Sequence, residues 1–232
     1  MHFQHSDEIW RDFPELVPGV LLAEGISPDV SADSFIAKFT ALARSRLAEA
    51  PESEFPEIQA WRRTFARMGL KPTQYRCAAE SLLRRLRKEG ALPRLHPLVD
   101  LCNAVSLAFA TPVAVFDLSK ITRALEVRYA AGDEVYLTFS GEVEHPGGHE
   151  VIFSDAVGQA HARRWSNRQS GLSAVRNPTT VALIVAEAMH GSAPSDMQEL
   201  TAALAGELDA LWGRPPDVTV LSQSSPRFTF AP

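Results

Sequence analysis

The chain has 232 residues, a formal net charge of −5 at pH 7, and is 45% hydrophobic and 22% charged. A chain of that length and balance can bury a full core without staples, and its surface as a whole is no basic grip for nucleic acid. It has no low-complexity tract, no basic start leading into an apolar leader and no apolar run long enough to span a bilayer, so the cytoplasm is the expected compartment, with no membrane and no DNA as partner.

The pattern along the chain predicts helices first, then strands, then helices. Val20–Ala23, after a Pro-Gly turn, is expected as a short buried strand, and Ser31 to about Ala50 as a helix capped by Ser31. A linker over Pro51–Pro56 leads to helices over Ile58–Met68, followed by Gly69, and Ala78–Glu89, stopped by Gly90. Leu92–Phe109 is the organising stretch: a Leu-Pro start, then a helix from about His96 whose apolar series carries Asp100, Asn103 and Ser106 as a polar seam. A polar group among so many apolar ones must find a partner or cost about 1–3 kcal/mol.

Beyond Pro112 the texture changes. Strands are expected at Val113–Phe116, Leu125–Tyr129, Val135–Phe139, Val151–Phe153 and Ala160–Trp165, with a hairpin turn over Ala131–Glu134. Thr179–Met189 and Met197–Trp212 are expected as helices, and Val218–Leu221 and Arg227–Phe230 as a strand and an exposed tail. The order implies an α+β fold with helices packed on a mostly antiparallel sheet, a single domain over 1–232 with its core at about 55–180.

No nucleophile elbow, zincin motif or Gly-rich phosphate loop is present. Cys77 and Cys102 form no CxxC pair and are read as buried free thiols. His145 and His149 flank a Pro-Gly-Gly loop, which favours a solvated hairpin over a metal pair, and neither metal nor cofactor is expected.

Three stretches can form one site. Arg84 and Arg85 are either a solvated helix face or a phosphate clamp, with Tyr75 just upstream able to stack on a base or sugar. Asn103 can orient a water or an ester carbonyl, or bond buried backbone. The run Arg163–Ser170 holds Trp165, Asn167, Arg168 and Gln169, side chains that stack, read amides and contact phosphate, or alternatively end a strand around a packed Trp. Glu150, after the Gly-Gly turn, is a candidate for positioning water.

Taken in order, Trp61-Arg62, Met68-Gly69, Lys71-Pro72-Thr73, Leu83-Arg84-Arg85, Leu92-Pro93, Val99-Asp100 with Asn103, Phe116-Asp117 and Arg164-Trp165 with Arg168-Gln169-Ser170 resemble a known pattern. It is that of freestanding relatives of the tRNA-editing module of the phenylalanyl-tRNA synthetase beta subunit, built from its third and fourth (B3/B4) domains. The resemblance covers about Gln59 to Ser170. It implies a B3/B4-like α+β domain whose pocket takes the mischarged aminoacyl end of a tRNA and hydrolyses the ester. In that reading Asn103, Glu150 and Asn167 place the water, while Tyr75, Arg84, Arg85, Trp165, Arg168 and Gln169 hold the acceptor end. Cys102 stands where the family has threonine, and Ala114 where it has a pocket histidine. That second departure keeps a non-catalytic binding module for tRNA, an amino acid or a nucleotide as the alternative.

Overall fold

Val181–Ala188, expected within a helix, is a β-strand in the computed structural model, which describes residues 1–231. It is β10 here, with β2 (Val17–Glu24), β3 (Val113–Asp117) and β11 (Asp217–Val220) beside it in a four-stranded antiparallel sheet of order β11-β2-β10-β3. One face of this sheet, with Leu21, Ala23, Val115, Ala182 and Ile184, packs on helices α2 (Asp33–Glu49), α5 (Pro97–Phe109) and α6 (Ala193–Trp212). The other, with Val20, Leu22, Phe116, Leu183 and Val185, packs on the second sheet. A strand covered on both faces loses the apolar–polar alternation and reads as a continuous apolar run, the pattern that a buried helix also gives.

The second sheet has six strands in the order β12-β1-β4-β7-β8-β9. These are β1 (His2–His5), β4 (Ala124–Tyr129), β7 (Val151–Asp155), β8 (Ala160–Arg163), β9 (Arg168–Gln169) and β12 (Arg227–Thr229). Its pairs are antiparallel except β1 with β4. The segment expected as an exposed tail thus completes a sheet edge: β12 pairs with β1, and the amino group of Met1 donates to the Phe230 carbonyl at 2.8 Å. Helices α1 (Asp7–Asp12), α3 (Pro56–Arg67) and α4 (Ala78–Glu89) close the remaining sides. The fold is α+β with mostly antiparallel sheets, as expected.

Other departures have local causes. The expected hairpin of Leu125–Tyr129 with Val135–Phe139 does not form, because β4 pairs with β7 and β1. The Glu134 carboxylate instead turns back onto the amides of Ala131 and Gly132 at 3.0 and 3.1 Å, and β5 (Tyr136–Leu137) pairs with β6 (Val143–Glu144). The Pro51–Pro56 linker contains a 3-10 turn at Glu52–Glu54, pinned because Glu52 is buried and paired with Arg87 at 2.7 Å. Ser31 does not cap α2, whose N-cap is Ala32; its hydroxyl accepts the Asp33 amide at 3.4 Å. The Gly90 expectation holds: φ is +77°, a left-handed C-cap.

Gly19 in β2 lies against α6, where a Cβ would come within 2.5 Å of Met197 Sδ and 2.6 Å of Thr201 Cγ2. A Gly19→Val substitution is expected to destabilise the protein by about 1–3 kcal/mol through overpacking, read as a lowered urea midpoint at unchanged m-value. A second expectation concerns acid. Burial would raise the Asp155 carboxyl, but His161 and the amides of Gln159, Thr122 and Val157 hold it down at about 2. A depressed native pKa makes its stabilisation complete above the ordinary value of 3.8 and lost as pH falls from there through about 2. Asp155→Asn should flatten the stability–pH profile in that window, measured by denaturant titration at stepped pH.

Candidate functional site

Helix α5 begins at Pro97, where a missing amide is no loss, and is capped by His96, whose Nδ1 accepts the Leu98 amide at 3.2 Å. Its polar seam divides into three tasks. Asp100 accepts the Leu95 amide at 2.9 Å and lies 3.5 Å from Arg94, fixing the chain that enters the helix. Burial pushes the Asp100 carboxyl up, offset in part by the Leu95 amide and Arg94. Ser106 donates to the Thr111 carbonyl at 2.7 Å and closes the far end. Asn103 makes no side-chain hydrogen bond among the described residues and is only partly buried. The middle of the seam is therefore the free carboxamide.

Beside α5 runs β3, the edge of its sheet. Its open side faces β9 and the loop after it. The Gln169 amide donates to the Val115 carbonyl at 2.6 Å, and the Asp117 amide to the Ser173 carbonyl at 2.9 Å. Two hollows lie along this seam. A groove of about 540 Å³ is walled by Leu95, His96, Asn103, Val115, Phe139 and Arg176 among others. A narrow cleft of about 70 Å³ is lined by Ala114, Trp165, Asn167, Arg168 and Glu187. Val113 and Gln169 border both.

The run Arg163–Ser170 reaches the cleft through a tight turn. Arg164 and Trp165 both adopt left-handed backbone, at φ 46° and 57°, which ends β8 at Arg163 rather than at Trp165. Such conformations persist only where surroundings enforce them. Here Glu150 accepts Arg163 Nε and Nη2, each at 2.9 Å, and the Arg164 amide at 3.0 Å, while the Trp165 amide bonds the Val151 carbonyl at 2.7 Å. Burial works against ionising Glu150, but the Arg163 guanidinium and the Arg164 amide override it and lower its pKa. Glu150, expected to position water, is thus the clamp of the turn and lines neither hollow.

Trp165, expected to stack on a ligand base, is fully buried, edge-on to Phe13 and Trp61 at 4.9 and 5.4 Å between ring centroids. Its Nε1 donates to Glu187 Oε1 at 2.9 Å, the oxygen that also meets His5 Nε2 at 2.7 Å. Asn167 lines the cleft but its amide donates to the Arg76 carbonyl at 2.8 Å. Arg168 leans on the Tyr136 ring and bonds Glu144 at 3.1 Å. Tyr75 carries the Arg164 guanidinium 4.8 Å from its ring, so that face is occupied. Arg84 lies 4.0 Å from Glu52, and Arg85 pairs with Glu89 at 2.9 Å on an exposed helix face. Of the three stretches expected to form one site, the structure joins two; Arg84 and Arg85 line neither hollow.

Sequence reasoning missed Glu187, whose Oε2 takes no hydrogen bond among the described residues. A lone acid in the run VALIVAEA was the available signal, masked by reading that run as a helix. A carboxylate at the cleft can hold an ammonium or a hydroxyl donor, and Asn103 can donate to a carbonyl or orient a water. Glu57, His190 and Asp196 bring donor atoms within 4.8 Å of one another, but Arg46 bonds both Glu57 oxygens at 2.7 and 2.9 Å and serves as their counter-cation. His145, the other metal candidate, has its Nδ1 2.9 Å from the Glu134 carbonyl.

The two layers of sheet, the helical cover and the cleft at a sheet edge define an α+β domain with a small, mostly apolar pocket that carries a few polar groups. The chain belongs to the B3/4 domain family, whose model matches residues 60–199. Curated relatives are phenylalanine–tRNA ligase beta subunits. That of Legionella pneumophila (strain Lens) is 41% identical over 73 residues, 32% of this chain and 8% of that one. Those of Coxiella burnetii (46% over 50 residues, 22% of this chain) and Shewanella oneidensis (36% over 90 residues, 38% of this chain) match over 6% and 11% of their own lengths. The matched segments therefore span about a tenth or less of these relatives. An N-terminal fragment of the Pyrococcus horikoshii phenylalanyl-tRNA synthetase beta subunit superposes on 93% of this chain and 49% of its own, with a TM-score of 0.49 at 9% identity. Among the described residues no helix is long and apolar enough to cross a membrane.

Glu150→Ala removes two hydrogen bonds to the Arg163 guanidinium and the acceptor of the Arg164 amide, leaving Glu144, 2.5 Å from Arg163, as the remaining carboxylate partner, at a cost of about 1–3 kcal/mol. Glu150→Ala is expected to lower the thermal midpoint strongly, while Asn103→Ala changes stability by about 0.5 kcal/mol or less. Calorimetric scans of both variants check the contrast.

Proposed function

We propose that this protein is a trans-acting aminoacyl-tRNA deacylase that hydrolyses a mischarged aminoacyl ester, with the acceptor end of a tRNA as its partner. What carries the reading is Asn103: a carboxamide without a protein partner at the wall of a groove that shares Val113 and Gln169 with a cleft bordered by a buried carboxylate. Membership of the B3/4 family and the synthetase relatives support the substrate class. An aminoacyl ester is already activated, so the site needs to position a water and stabilise the carbonyl oxygen, without a nucleophile of its own. In this reading the aminoacyl group enters the cleft, where Glu187 meets its ammonium or a side-chain hydroxyl. Asn103 and Gln169 face the ester, with Asn167 supporting the cleft wall from its bond to Arg76. The whole chain acts as one B3/4-type unit, with the end strands β1 and β12 completing the six-stranded sheet.

A second reading is favoured by Ala114. It lines the cleft with a methyl group where the resembling module carries a histidine, and a site without that ring could bind tRNA, an amino acid or a nucleotide without turnover.

A panel of mischarged tRNAs incubated with micromolar protein separates the two. Deacylation of at least one is expected, and Asn103→Ala should lower its kcat by roughly 10²–10³ if the carboxamide donates to the developing oxyanion. Binding of the whole panel with no hydrolysis of any member would leave the binding module as the function.

A further inference from the structure

One of the two donors that hold Glu187 comes from outside the span of the family model. Strand β1 precedes residues 60–199, and it carries His5 into the core. The imidazole is fully buried, with Phe3 and Trp10 edge-on to it at 5.2 and 5.3 Å between ring centroids. Its Nε2 meets Glu187 Oε1 at 2.7 Å, and its Nδ1 is buried with no hydrogen bond. Those two facts place the proton. On Nδ1 it would leave a buried N–H orphaned and set the Nε2 lone pair against those of the carboxylate. On Nε2 it gives Oε1 a donor and leaves only a bare lone pair at Nδ1. His5 therefore donates.

Trp165 Nε1 donates to the same oxygen at 2.9 Å. Oε1 is thereby filled from two sides, by neither a lysine nor an arginine. Oε2 makes no hydrogen bond among the described residues and is not sealed off: the Glu187 side chain keeps 3% of its surface and lines the cleft. The other charged side chain at the cleft, Arg168, is engaged by Glu144. A carboxylate oxygen left open beside apolar side chains takes a donor from whatever enters. We propose that His5 is a positioning residue for ligand selection: by donating Nε2–H it commits Oε1 to the protein and leaves Oε2 to read a hydrogen-bond donor on the acyl group. This deepens the deacylase reading, and rests on it for identifying the ligand as an aminoacyl ester. It also gives β1 a part in the site beyond completing the sheet.

The test uses amide-linked analogues of an aminoacyl end, in which 3′-amino-3′-deoxyadenosine carries the amino acid, and isothermal titration calorimetry on the whole chain. Seryl is paired with alanyl and tyrosyl with phenylalanyl, so that each pair differs by one hydroxyl, and N-acetylated forms remove the ammonium. The wild type is expected to favour the donor-bearing member of at least one comparison by about 10- to 150-fold, the range of one hydrogen bond to a charged group. His5→Phe should shrink that preference to about 3-fold or less while the donor-free member binds as before. His5→Gln, whose amide N–H can reach the same oxygen, should restore most of it. A His5→Phe protein that loses affinity equally for both members, with a lowered thermal midpoint, has lost only a structural contact, and that result would overturn the proposal. So would a wild type that binds no analogue up to millimolar concentration or shows no preference. Should His5→Phe not fold, the wild-type tautomer decides: nitrogen NMR of labelled histidine is expected to find the His5 proton on Nε2, and a proton on Nδ1 overturns the assignment. Selective binding with the expected variant pattern, but no hydrolysis of any mischarged tRNA, retains the role of His5 and discards the deacylase. Hydrolysis whose selectivity ignores His5→Phe does the reverse.

Discussion

The Glu187 carboxylate is the constraint on which the arrangement depends. It sits on the central strand β10, and a single oxygen joins it to His5 on β1 and to the indole of Trp165. One side chain therefore ties the four-stranded sheet to the six-stranded sheet and to the turn that borders the cleft. A buried carboxylate requires donors, and leaving one unsatisfied costs more than the pair gains in net stability. The cleft consequently lies at the place where the two sheets meet, and the Glu187 carboxylate at its border is fixed by the bonds that hold them together.

The turn beside it is held in an uncommon shape by a second ionic arrangement. Two consecutive non-glycine residues in left-handed backbone need outside support. Glu150 supplies it from the loop just before β7 by binding the Arg163 guanidinium in two places and the Arg164 amide in a third. The turn carries Asn167, Arg168 and Gln169 to the open edge of β3, and there Gln169 bonds Val115. Glu150 shapes the site without entering it.

Helix α5 provides the opposite wall by a division of labour along one polar seam. Asp100 and Ser106 satisfy backbone at the helix ends, while Asn103 between them remains free. Its freedom is a consequence of position: the middle of a helix has no orphan amides or carbonyls to satisfy, so the side chain is left on the helix surface, where it lines the groove.

Much was legible in the chain itself. Proline and glycine punctuation, capping residues and apolar spacing placed α3, α4 and α5 to within a residue or two, because those signals act locally. The motifs around Asn103 and Arg163–Ser170 marked the family and two of the site's walls. Local signals could not decide which apolar run lies between two layers: Val181–Ala188 reads as helix or strand until something covers both its faces. Nor could they say which polar residues are already partnered. Glu150, Trp165 and Tyr75 have the chemistry of a binding site, and each is engaged by a residue distant in the sequence or packed from several sides. Glu187 looks ordinary in sequence and acquires meaning only from what surrounds it. The amino-acid sequence by itself determined the local elements and the residue types available to a site. Tertiary packing decided which of those residues remain free to meet a ligand, since hydrogen bonds and ion pairs between distant segments are chosen only when the layers come together.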